Sequence, residues 1–214
     1  MAELLRQTLG DHVKTFNQDD YYYDENYEGH TLVPELNHTI NWDIESAFNN
    51  KELLDNIIQA DKKFDKQINS QVISSTVKAL ESWSPKHFLF NNKEVSLKTK
   101  ELFKTGGFDC LPIQIVEGIT IFDSKLLTEV CDLKIFVTLD YQTCVQRRNS
   151  RIYPGSWTDP PGYFDKIVWP SYLNQLKTFQ TKENIHFIDG CNPQCDSFVK
   201  TLKLVVDSIN KHFQ

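Results

Sequence analysis

The stretch from Pro112 to Asp123, PIQIVEGITIFD, constrains the fold more than any other in this chain. Ile113, Ile115 and Val116 follow Pro112 and stop at Glu117-Gly118, the pattern of a short strand in a covered parallel sheet. Ligands of α/β proteins sit at the carboxyl ends of such strands, so Glu117 is a candidate to orient Mg²⁺ or its water. The plainer reading is a strand-end acid in a surface loop. Ser124 to Cys131 then suits a short helix and Leu133 to Leu139, LKIFVTL, a second apolar strand. That β-α-β order predicts a parallel sheet with crossover helices. A further strand is expected over Ile185 to Ile188, ending in Asp189-Gly190. In a last helix, about Pro193 to Phe213, Phe198, Leu202, Val205, Ile209 and Phe213 recur at spacings of three and four, as core residues do.

The amino-terminal part repeats the theme of a strand that ends in carboxylates. Met1 to Leu9 reads as a helix with Leu4, Leu5 and Leu9 on one face, and His12 to Asn17 as a short strand. Gln18-Asp19-Asp20-Tyr21-Tyr22-Tyr23 follows at once. Asp19 or Asp20 can take a proton from a substrate hydroxyl and help hold Mg²⁺, with the tyrosines as walls of a small-molecule site. An Asx turn with surface tyrosines accounts for the same residues. Residues 24 to 41 read as loop. Asp43 is placed to cap a helix from about Ile44 to Ala60. Trp42 beside Asp43 also suits a nucleoside, the ring stacking on a base while the carboxylate accepts from two ribose hydroxyls. The alternative is a half-buried Trp that staples the helix start.

With 214 residues the chain is expected to form one α/β domain, 1–214, with a lid at about 147–165 and a peripheral, partly helical segment at about 61–110. A formal charge of -6 argues against a general nucleic-acid binder. No apolar run reaches membrane-spanning length and the first fifteen residues lack a signal-peptide core, so a cytoplasmic or nuclear protein is expected. Five cysteines fit free thiols better than a disulfide framework, and Cys191 and Cys195 have no second Cys/His pair nearby to complete a zinc site.

The basic residues concentrate at one place. Tyr141 to Arg151 reads as a helix carrying Arg147, Arg148 and Arg151. Arg147 and Arg151 are four apart and share a face, while Arg148 projects about 100° round. Two arginines are thus set to grip phosphates while the third addresses another group; a solvated basic face is the alternative. The loop from Ile152 to Asp165, IYPGSWTDPPGYFD, is rich in proline and aromatics, and a helix is expected from about Lys166 to Thr181.

QDDYYY at 18–23, NWD at 41–43, IVEG at 115–118, RRNSRIY at 147–153 and PGYFDKIVWPSYL at 161–173 together resemble the nicotinamide riboside kinases. These belong to the uridine-kinase-like branch of P-loop nucleoside kinases. The resemblance runs through the chain apart from about 61–110 and implies a three-layer sandwich, with a parallel sheet and helices on both faces. It implies that Asp19 is the general base for the ribose 5′-hydroxyl and a neighbour of Mg²⁺. Asp20, Tyr21 and Tyr22 become substrate walls, Trp42 the ring that stacks on nicotinamide, and Asp43 with Arg148 the readers of the 2′ and 3′ hydroxyls. Tyr153 falls at a substrate-side aromatic, Arg147 and Arg151 at lid arginines that contact ATP, and Asn192, Pro193 and Gln194 beside adenine. Glu117 matches the acidic residue near the metal.

One departure stands out. A kinase of this class uses G-x-x-x-x-G-K-[ST], whose backbone N–H groups cradle phosphates. The chain has eight glycines, no two of them five residues apart. In the family the helix resembling MAELLRQTL directly follows that motif, so the expectation is a sandwich without its first strand and phosphate loop. An internal start and a protein that has shed catalysis both predict this. The implied activity is Mg-ATP-dependent phosphorylation of nicotinamide riboside, and of nicotinic acid riboside, toward NAD. A uridine or cytidine kinase and a non-catalytic nucleoside-binding protein remain the alternatives.

Overall fold

The computed structural model describes residues 1–10, 13–61, 113–151, 159–192 and 194–213. Most of the expected peripheral segment at 61–110 lies outside them. The chain divides into two compact units, Met1–Asn17 with Leu54–Glu117 and Asn192–Gln214, and Gln18–Leu53 with Gly118–Cys191.

In the first unit, helix α1 (Ala2–Leu9) ends at Gly10, whose φ of 121° is open to glycine and strained for other residues. The chain then enters strand β1 (Lys14–Asn17), which pairs in parallel with a later strand, Gln114–Glu117, in the register Thr15 to Ile115 and Asn17 to Glu117. Helix Gln194–Phe213 packs its apolar stripe here. Leu5, Leu9, Val13, Phe198, Leu202 and Val206 form the buried cluster, with Ile113, Ile115, Val205 and Ile209 partly buried against it. Val206 is fully buried beside the expected Val205, which packs against the same cluster. One expectation needs correction. Strand Gln114–Glu117 is half-covered rather than buried on both faces, and it is hydrogen-bonded to β1 alone among the described strands.

The second unit opens with the 3₁₀ turn Gln18–Tyr21. Residues 24–41, expected as loop, contain a small antiparallel ladder of β2 (Leu32–Val33) and β3 (Thr39–Ile40). Asn37 and His38 make its turn in the left-handed region, with φ of 53° and 58°. The helix expected from Ile44 starts later. Glu45–Ala47 is a 3₁₀ turn, Phe48 is extended, and helix α2 runs Asn50–Asp61. Its cap is Asn49, not Asp43: Asn49 Oδ1 accepts from the Glu52 N–H at 3.2 Å, and Asn49 Nδ2 donates to Glu52 Oε2 at 2.8 Å.

With Gln114–Glu117 numbered β4, the chain continues through α3 (Lys125–Glu129), β5 (Ile135–Thr138) and α4 (Tyr141–Asn149). A π-helical turn, Phe164–Val168, leads into α5 (Trp169–Phe179), and β6 (His186–Asp189) pairs in parallel with β5, Thr138 opposite Asp189. Helix Gln194–Phe213 is α6. Phe136 of β5 is the aromatic centre of this pair, with Phe122, Tyr172 and Phe187 rings 5.4 to 6.1 Å away. Tyr163 joins Val33 and Leu36 in a second small cluster. The architecture is α/β with parallel strand pairs, as expected. No helix among the described residues is long and apolar enough to cross a membrane.

Candidate functional site

The second unit gathers most of the described candidate residues, beginning where the chain leaves β1. Gln18 is completely buried, and its amide is saturated: Nε2 donates to Asn50 Oδ1 at 2.9 Å and Thr120 Oγ1 at 3.0 Å, while Oε1 accepts from the Thr120 N–H at 3.0 Å. Gly118 permits this approach, because a Cβ there would lie 2.4 Å from Gln18 Cβ and Oε1. The amide thus fixes the backbone from which Asp19 projects. Asp19 reaches solvent, yet the surrounding protein desolvates its carboxyl and raises its pKa, a shift opposed by Arg151 and reinforced by Asp20.

Asp43 is not a helix cap because it is held elsewhere. It is buried, and the Tyr163 hydroxyl donates to its Oδ2 at 2.9 Å while accepting from the Trp42 N–H at 2.9 Å. Ser171 Oγ donates to the Asp43 carbonyl at 3.0 Å, and Asn41 Oδ1 accepts from the Asp43 N–H at 3.0 Å. Both residues of the Trp42-Asp43 pair are therefore clamped from the α5 side. Burial raises the Asp43 pKa; the Tyr163 hydrogen bond and Arg148 pull it back, and Asp159 and Asp19 push it further up. Arg148 itself makes a two-pronged pair with Asp159, Nε to Oδ2 at 2.5 Å and Nη2 to Oδ1 at 3.0 Å. Arg148 and the carboxylates of Asp43, Asp159 and Asp19 thus share a partly desolvated region.

Aromatic rings flank it. Tyr22 stacks on Phe48 at 4.1 Å and meets Trp42 edge-on at 5.4 Å. His30 meets Trp42 at 4.8 Å and Tyr27 at 5.5 Å, and Tyr27 stacks on Tyr23 at 4.0 Å. Burial, with Asp19 and Asp43 next in effect, raises the Tyr22 phenol and keeps it neutral. These rings thus stand beside carboxylates and a guanidinium.

The other candidates stand as follows. Asp20 is exposed, and Tyr21 is half-buried with its carbonyl accepting from the Asn49 N–H at 2.8 Å. Arg147 Nη2 donates to the Gly190 carbonyl at 2.8 Å. The shared helical face of Arg147 and Arg151 is not realised: α4 ends at Asn149, Ser150 is its cap, and Arg151 lies beyond. Glu117 ends β4 in the first unit and is exposed, and Asn192 belongs to that unit too. Gln194 begins α6, while Tyr153 and Pro193 lie outside the described residues. Among the described residues no three His, Cys, Asp or Glu side chains converge as a metal cage.

Sequence reasoning did not single out Tyr163, Asp159, Gln18 or His30. Tyr163 stood inside the PGYFD block but carried no local signal of its partner 120 residues away. For Asp159 the sequence offers only an acid eleven positions after Arg148.

No family model matches the chain. Among curated proteins it is similar to nicotinamide riboside kinase 1 of Rattus norvegicus, 34% identical over 102 residues that cover 47% of this chain and 51% of the relative. The human nicotinamide riboside kinase 1 is 32% identical over 102 residues, covering 47% and 50%. The nicotinamide riboside kinase of Saccharomyces cerevisiae is 28% identical over 163 residues, 73% of this chain and 63% of the relative. The chain spans about half the length of the first two.

Proposed function

We infer that this chain, a relative of the nicotinamide riboside kinases, binds a pyridine nucleoside and serves transfer of the ATP γ-phosphate to its 5′-hydroxyl. The observation that carries the reading is the Trp42-Asp43 pair, clamped by the Tyr163 hydroxyl, with Arg148 acting on the Asp43 charge. Asp43 in its ionised form accepts from the two ribose hydroxyls and Arg148 donates to them. Trp42 and Tyr22 take the ring, with Asp20, Tyr21 and Tyr153 as further walls. Asp19 accepts the 5′-hydroxyl proton, which requires it ionised, so turnover rises as pH climbs through its raised pKa.

On the donor side, Arg147 and Arg151 are assigned to the phosphates, and Asn192, Pro193 and Gln194 to adenine. Asp19 and Glu117 are the carboxylates assigned to Mg²⁺, which when bound neutralises phosphate charge. A flat stacking ring without base-edge hydrogen bonds favours pyridine nucleosides over uridine or cytidine. Nucleoside binding without turnover is the second reading, and it rests on the lack of G-x-x-x-x-G-K-[ST] in these residues.

The test is ATP- and Mg²⁺-dependent phosphorylation, together with calorimetric binding, of nicotinamide riboside and uridine. Residues 1–214 are assayed beside a version extended upstream by a strand and glycine-rich loop. Turnover with the pyridine nucleoside preferred supports the kinase; binding with no turnover in either version supports the second reading. Absence of pyridine nucleoside binding in both refutes the assignment of this site.

A further inference from the structure

Asp43 and Arg148, the two groups assigned to the ribose, carry opposite charges and feel one another, yet the carboxylate that Arg148 pairs with is Asp159. Asp159 meets the guanidinium edge-on, Nε to Oδ2 at 2.5 Å and Nη2 to Oδ1 at 3.0 Å. Each side chain is only 23% exposed, so the pair is shielded from most of the solvent that weakens surface ion pairs. A guanidinium carries five N–H donors in one plane. Fixing two of them fixes the plane and the direction of the rest.

A stiff piece of backbone delivers Asp159. Pro160 and Pro161 follow it, each with φ limited by its ring. The Tyr163 N–H donates to the Pro160 carbonyl at 3.0 Å and Gly162 takes a φ of 80°, the pattern of a type II turn with Pro161 and Gly162 at its centre. Asp159 immediately precedes this turn and grips Arg148; Tyr163 closes it and donates to Asp43 Oδ2. One short, rigid segment therefore holds both groups assigned to the ribose.

We propose that Asp159 is a positioning residue of the nucleoside site: by taking the Arg148 fork it keeps that guanidinium from closing on Asp43, so that carboxylate and arginine both serve the ribose diol. The proposal rests on the assignment of Asp43 and Arg148 to the ribose. A guanidinium released from Asp159 beside an ionised, partly desolvated Asp43 is drawn to it, because opposite charges attract more strongly there than in water. The diol then meets an acceptor and a donor already engaged with each other.

The test is calorimetric titration of the full chain with nicotinamide riboside and with its 2′-deoxy counterpart, which differ by one hydroxyl. Contacts to the ring are common to both and cancel from the ratio of affinities. Wild type is expected to bind the riboside about tenfold more tightly, the scale of one hydroxyl hydrogen-bonded to a charged group. Asp159→Asn keeps the size but not the charge that holds the fork, and is expected to bring the ratio to within about threefold of unity. Asp159→Glu keeps a carboxylate for the fork and is expected to restore a ratio nearer that of wild type. In an Arg148→Gln background, Asp159→Asn is expected to change the ratio by less than about twofold, since its route of action is gone.

A wild-type ratio in Asp159→Asn, an equal loss of affinity for both nucleosides, or a full effect of Asp159→Asn in the Arg148→Gln background each overturns the role of Asp159 and leaves the nucleoside site standing. If wild type does not distinguish the two nucleosides, the assignment of Asp43 and Arg148 to the ribose falls, and the proposal with it.

Discussion

Removing a single oxygen, in Tyr163→Phe, tests the clamp on Asp43, the carboxylate proposed to read the ribose. The hydroxyl lost is the one that donates to Asp43 Oδ2 and accepts from the Trp42 N–H, each at 2.9 Å. A hydrogen bond to a charged, buried partner contributes about 1.5–3 kcal/mol, and stranding the Trp42 N–H adds a cost, so a loss near 3 kcal/mol is expected. For a chain of this size each kcal/mol moves the melting midpoint by about 2–4 °C, giving a fall of roughly 6–12 °C. The ring stays, so the packing against Val33 and Leu36 is preserved.

The functional readout is sharper than the stability readout. The lost bond is one of the two influences that lower the Asp43 pKa against burial, Arg148 being the other. Without it the carboxyl ionises at higher pH, and the midpoint at which nucleoside binding is gained moves up. Titrations of nicotinamide riboside across pH, for wild type and variant, measure that midpoint. An unchanged midpoint with reduced stability would mean that Tyr163 is only a packing residue, and would refute the assignment of the clamp.

Asp43→Asn separates stability from binding. The folded-state pKa of Asp43 is raised, so its contribution is fully present below the unfolded value and is lost as pH rises through the folded one. The variant is therefore expected to melt higher than wild type at neutral pH and to lose nucleoside affinity, and a lower melting point would contradict this. Gly118→Ala drives a methyl into Gln18 and is expected to cost about 1–3 kcal/mol by chemical denaturation. A neutral result would show that the Gln18 amide does not hold its place. Arg148→Lys keeps the charge but loses the two-pronged pairing with Asp159, and about tenfold weaker nucleoside binding is expected. Unchanged affinity would remove Arg148 from the ribose site.

What the sequence disclosed depended on whether the determining interactions were local. Strand ends at Asn17 and Glu117 were readable because β-branched runs stop at polar residues within a few positions. The α6 stripe was readable because its period is built into the helix. Asp43 was misread because its position before an apolar run satisfies the local rule for a cap, whereas a tyrosine 120 residues later claims its side chain. The observed cap does carry a local signature, Asn49 three residues before Glu52. The arginine helix stops two residues short of Arg151, where Ser150 turns its hydroxyl back to the Arg147 carbonyl at 2.9 Å, a choice no periodicity records.

The bond between Tyr163 and Asp43 also has a bearing on the birth of the protein. During synthesis Asp43 leaves the ribosome well before Tyr163 exists, and at about 5–20 residues per second the delay is roughly 6–24 s. Through that interval the acid has no phenol to receive, and closing so long a span carries an entropic cost that favours late formation. On the proposed assignment, a nucleoside therefore meets the assembled Tyr163–Asp43 clamp only once Tyr163 has emerged, and stabilises a fold already made rather than templating residues that come before it.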